Sequence, residues 1–133
     1  DKSAATKRVA DKEKKLRIEQ AADYYFKKAL EIYNQYRATW INALDAEQKK
    51  IFNDPNRNQK MRNELRKDAA NEALSKLSGT NNPLRNDPTW KKNFSAVDPR
   101  DYKLDLSKRF CKGEEWGINC FISSIKYLTK VDQ

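Results

Sequence analysis

The residues with the most chemistry to offer lie close together in CKGEEWGINC, where Cys111 and Cys120 flank Glu114, Glu115 and Trp116. These are the only cysteines in the chain, and their spacing does not match the C-x-x-C redox motif. With no histidine anywhere in the sequence, they lack the partners that would complete a typical zinc site, so no metal is expected. They are read as a disulfide closing a short loop. The alternative is a pair of free, buried thiols acting as small apolar side chains. Glu114 and Glu115 are neighbours in the chain and so point in different directions, whereas an acid/base pair needs two carboxylates that converge. They read as solvated loop acids, with Glu115 beside Trp116 also a candidate partner contact. Trp116 is an interface anchor if a rigid loop presents it, and a core side chain if it tucks inward as the last helix begins.

The absence of histidine also removes the commonest general base and nucleophile activator. No glycine-rich phosphate loop, EF-hand or G-x-S-x-G pattern is present. The expectation is a protein without enzymatic activity and without a cofactor, a lysine- or tyrosine-based site being the one chemistry left open. Two further groups are candidates for binding. Tyr24 falls off the apolar stripe of its segment, beside Lys27 and Lys28, and is the best isolated candidate for an exposed partner contact. Arg57, Lys60 and Lys67 fall off the apolar face of a later helix and are candidate anion contacts; otherwise they are ordinary solvated charges.

The element that must position these residues is the stretch from Ile18 to Leu44. Ile18, Ala22, Tyr25, Ala29, Tyr33, Tyr36, Trp40 and Leu44 follow one another by three or four residues, and Phe26, Leu30, Ile32 and Ile41 widen the stripe. No proline or glycine interrupts it. Asp45-Ala46-Glu47-Gln48 reads as a capping box opening a short second helix. Asp54-Pro55 reads as a cap with proline at the first helical position, starting a third helix from Pro55 to Leu77 that Gly79 stops in a left-handed conformation. Its Ala69, Ala70 and Ala73 would nest under Tyr33, Tyr36 and Trp40. Residues 79–90 read as a loop, Asp87-Pro88 as the start of a short helix to Phe94, and Asp98 to Asp101 as a turn. Tyr102 to Phe110 alternates apolar and polar, which fits an extended segment or a turn of helix capped by Asp105 or Ser107. A last helix is expected from Trp116 to Lys130, with Ile118, Phe121, Ile122, Ile125 and Leu128 facing inward.

These elements predict an all-α fold: a small helical bundle built on one long amphipathic helix packed against an antiparallel helix, with a short C-terminal helical subunit. Residues 1–17 form a basic helical extension or arm, and 18–133 a single helical domain. The arm is either solvated or docks on an anionic partner through Lys7, Arg8, Lys12, Lys14, Lys15 and Arg17, with Asp11, Glu13 and Glu19 set against that. An aromatic content of 11% argues against disorder.

The net charge of +9, from 28 basic against 19 acidic residues, has two readings: a nucleic-acid or anionic-surface binder, or a lysine-rich solvated surface. No apolar run is long enough to span a bilayer. The chain begins at Asp1 without methionine, as after removal of a leader or trimming, and with the cysteine pair an extracytoplasmic setting is expected. QAADYYFKKALEI resembles the second helix of a tetratricopeptide repeat, but no repeat follows at that period. The segment from Tyr33 to Arg66 resembles the helical core of small exported lysozyme-inhibitor-type proteins, without the tryptophan and cysteine signature expected after it. Neither resemblance carries a residue role over. The functional expectation is a non-enzymatic, exported protein-binding module of the inhibitor, immunity, exclusion or assembly-factor type. The alternative is a basic helical protein that binds nucleic acid or an anionic surface.

Overall fold

The computed structural model describes residues 2–79 and 81–129, with side-chain surroundings described for 8–79 and 81–125. An uninterrupted run of helix formers makes the first element one helix, α1 (Lys2–Asn42), roughly 60 Å long at 1.5 Å per residue. Its described residues 8–17 are exposed, and burial begins one turn later. Ala21, Ala22, Tyr25, Phe26, Ala29, Ile32 and Tyr33 form the buried stripe, with the spacing of one helical face.

The chain turns after Asn42 because Asp45 caps α2 (Ala46–Phe52). The Asp45 carboxylate accepts the Gln48 N–H at 2.8 Å, and the Gln48 side chain accepts the Asp45 N–H at 2.9 Å. This is the reciprocal capping box expected there. The next boundary differs from expectation. Asp54 does not cap a helix at Pro55; its carboxylate accepts the Asn56 N–H and the Arg57 Nε–H, each at 2.9 Å. Pro55, Asn56 and Arg57 are thereby held in a turn. Asn58, whose side-chain amide donates to the Phe52 carbonyl at 2.9 Å, then precedes α3 (Gln59–Lys76).

α3 packs antiparallel on α1 in the most extensive helix pairing of the molecule, burying Leu65, Ala69, Ala70 and Ala73. The small-residue face of α3 is as expected, and α1 also carries buried alanines at Ala21, Ala22 and Ala29. The α3 terminus corrects another expectation. Gly79 is absent from the left-handed residues; instead the Asn82 side chain donates to the Leu77 carbonyl at 2.7 Å, meeting a helix-end acceptor that a glycine cap would otherwise serve.

One device then repeats three times: an Asx cap followed by proline at the first helical position. Asn82-Pro83 opens a 3-10 turn (Pro83–Asn86), Asp87-Pro88 opens α4 (Pro88–Asn93), and Asp98-Pro99 opens α5 (Pro99–Phe110). Of the two readings open for 102–110, an extended segment or a turn of helix, the segment is helix, but capped by Asp98 rather than by Asp105 or Ser107. Its apparent alternation comes from Tyr102 and Leu106, one turn apart and buried, with Leu104 between them facing out at 53% exposure. α5 packs on α1, where Arg109 reaches Asp23 at 2.7 Å. The chain ends in α6 (Ile118–Thr129), which packs on α3 and α5. Phe121 and Ile125 of α6 are buried and Ile122 half-buried, whereas Ile118 is 37% exposed, not inward-facing as expected; Leu128 lies outside the described side chains. The described residues thus form an all-α bundle of six α-helices and a 3-10 turn, with no strand among them. No helix among them is long and apolar enough to cross a membrane.

Candidate functional site

The connection between α5 and α6 is built to hold one aromatic ring. Cys111 ends α5, Cys120 lies in the first turn of α6, and a disulfide joins them across a Cα–Cα distance of 5.5 Å. The chain reverses inside this loop at Lys112 (φ 52°) and Gly113 (φ 92°), a left-handed pair that glycine accommodates most easily. The Ser107 hydroxyl of α5 donates to the Glu114 carbonyl and ties the loop down.

Trp116 then lies half-buried against three rings of the core. Its centroid is 5.7 Å from Phe121, 6.2 Å from Phe26 and 6.3 Å from Tyr25, edge-on to Phe121 and Tyr25. Such tilted and edge-on contacts match the quadrupoles of the rings. The indole N–H is buried without a closed hydrogen bond and approaches the Tyr25 hydroxyl. Burial, opposed by that N–H, raises the Tyr25 pKa. Burial also pushes Tyr102, whose ring centroid is 5.0 Å from that of Tyr25, up to about 12. Both phenols therefore stay protonated through the neutral range. Glu114 and Glu115 are exposed.

Beside this ring is a cleft of about 260 Å³, lined by Arg100, Lys103, Leu104 and Ser107 of α5 and by Glu115 and Trp116 of the loop. The four α5 residues share one face, at the three- and four-residue spacing of adjacent helical turns. Leu104 and Trp116 are the cleft's apolar lining. Arg100 at the rim is engaged by Asp98 at 2.8 Å, which holds that carboxyl below its ordinary pKa. Lys103 has no ion pair among the described residues. Reasoning from sequence found Trp116 and Glu115 but missed Arg100, Lys103, Leu104 and Ser107, which come together only once Asp98 is taken as a helix cap.

The remaining candidates are dispersed. Tyr24 is not the exposed contact expected: it is half-buried, its hydroxyl donates to Asp87 at 2.6 Å, and its ring lies 6.0 Å from Trp90 and 5.8 Å from Phe94. That hydrogen bond is the main cause raising the Tyr24 pKa and lowering that of Asp87. Lys28 pairs with Glu31 at 3.5 Å, and Lys27 is exposed. Of the three, it is Tyr24 that docks α4 on α1. Arg57 is committed to Asp54 at 2.9 Å. Lys60 and Lys67, by contrast, come together along a groove of about 600 Å³ between α3 and α6. Among the described residues no group of histidine, cysteine, aspartate or glutamate is arranged to hold a metal ion. Compared with protein-family models, curated proteins and solved structures, the chain matches none.

Proposed function

We propose that this chain is a non-enzymatic, exported protein-binding module that recognises its partner through the cleft between α5 and the 111–120 loop. The observation that carries this reading is Leu104, an apolar side chain 53% exposed that lines a cleft together with a tryptophan packed on three core rings. A pre-positioned aromatic beside an uncovered aliphatic, with charged groups at the rim, is the composition of an interface hot spot. A wall held rigid by a disulfide loses little entropy when a partner docks. The disulfide also supports the exported setting, since such bonds persist in oxidising compartments.

The test is affinity capture from native envelope extract with the full chain and its Leu104→Glu variant. A specific partner retained by the first and lost by the second, at unchanged melting temperature, is the expected result. Identical partner profiles for the two chains would refute the assignment of the cleft.

The second reading, binding to nucleic acid, has one observation in its favour: Arg8, Lys12, Lys14, Lys15 and Arg17 are all exposed along the start of α1. Binding dominated by phosphate contacts loses roughly 10³–10⁵ in affinity between about 50 and 200 mM salt. A salt titration with single-stranded and duplex DNA therefore separates the two readings.

A further inference from the structure

The groove between α3 and α6 shares no lining residue with the cleft described above. The buried face of α3 carries Leu65, Ala69, Ala70 and Ala73. Lys60 and Lys67 lie off that face, two turns apart along one wall of the groove, about 10 Å from each other along the axis. Neither makes an ion pair among the described residues, and Glu64 is the only acid lining the groove. The opposite wall is α6. Its Phe121 and Ile125 are buried, but Ile122 is only half-buried and lines the groove, and Ile118 one turn earlier is 37% exposed. The result is a trough with Asn119 and the half-covered Ile122 on one wall and, on the other, Lys60 and Lys67 seven residues apart with Glu64 between them. Its volume of about 600 Å³ falls within the ~300–1,000 Å³ of well-formed binding pockets.

We infer that this groove docks an acidic amphipathic helix of a partner protein. A helix laid in the trough would place leucine, isoleucine or phenylalanine at i, i+3 or i+4, and i+7 against Ile118 and Ile122, the usual register of helix-in-groove recognition. Carboxylates seven residues apart on its flank would meet Lys60 and Lys67 in turn. Apolar complementarity selects this occupant over a nucleic acid: the half-buried Ile122 offers an aliphatic contact, and no aromatic side chain lines the groove to stack a base.

The experiment is a display selection of helical peptides of about sixteen residues, roughly four turns, against the full chain with its disulfide intact. Counter-selection uses the Lys60→Glu/Lys67→Glu chain, whose exposed substitutions leave the core alone. The expected winners carry acids seven apart flanking an apolar stripe. They should bind the double variant at least about tenfold more weakly, with most of the loss in association rate and sensitive to salt. They should bind the Leu104→Glu chain unchanged, which keeps this groove distinct from the cleft. Winners without an acidic bias, equal binding to the double variant, or displacement by single-stranded DNA at low salt would overturn the inference. So would a selection that yields no peptide preferring the native chain.

Discussion

Removing the disulfide is the perturbation whose consequence follows most directly from the structure. Cys111→Ala/Cys120→Ala opens a loop spanning a sequence separation of 9. By the chain-entropy argument, closing a loop of about ten residues restricts the unfolded chain by an amount equivalent to about 2.7 kcal/mol. Unfolding entropy of about 2.1 cal/mol/K per residue gives the 133-residue chain about 0.28 kcal/mol/K, so the melting temperature should fall by about 10 °C. The loss has a local signature as well. Trp116 is positioned by this loop against Tyr25, Phe26 and Phe121, so near-ultraviolet dichroism should weaken in the double variant before the helical signal changes. Calorimetry of the native chain with and without reductant, beside the double variant, is the assay. Reductant should reproduce the variant's melting temperature and leave the variant itself untouched. A fall of less than about 2 °C, with intact mass confirming that the reference protein is oxidised, would refute the view that this bond stabilises the α5–α6 unit. Two free thiols in the protein isolated from its native compartment would remove both the bond and the argument for export.

Two further outcomes test how the helices pack. Ala69 of α3 is fully buried against α1, so Ala69→Leu should destabilise by about 1–3 kcal/mol through overpacking, whereas Asn71→Leu on the exposed face should stay within about 0.5 kcal/mol; urea melts compare them. Tyr24→Phe deletes the 2.6 Å bond to Asp87 and, for a contact partly open to solvent, should cost about 1 kcal/mol at neutral pH. The folded-state pKa of Asp87 lies below its ordinary 3.8, so the contact stabilises fully above that value and is lost as pH falls through the lowered folded pKa. The gap between native and Tyr24→Phe chains, measured by urea melts across the acid range, should therefore be constant near neutrality and close in acid. A gap that widens on acidification would reverse the assigned direction.

What could be read from residues alone divides along sequence distance. The Asp45–Gln48 capping box and the Asp87-Pro88 helix start are complete within four residues, and both appear as expected. The same device at Asp98-Pro99 went unread because Tyr102, Leu104 and Leu106 imitate a strand's period of two. Over so short a run, a helix with Tyr102 and Leu106 inward and Leu104 outward produces the same pattern. That ambiguity hid the cleft, since Arg100, Lys103, Leu104 and Ser107 share a face only on a helix. Asp54-Pro55 carries the same two letters as the true helix starts, yet there the carboxylate serves a turn, because the chain must reverse between α2 and α3 before it can pack. Tyr24 was misjudged for a different reason. Its spacing on α1 correctly places it off the main stripe, but Asp87 lies 63 residues away and arrives only when α4 docks. Lys60 and Lys67 show the converse: their seven-residue spacing already puts them on one side of α3, and the fold adds the half-covered isoleucine opposite. A pair of solvated lysines and a docking groove are identical until the second wall is in place, and α6 is that wall.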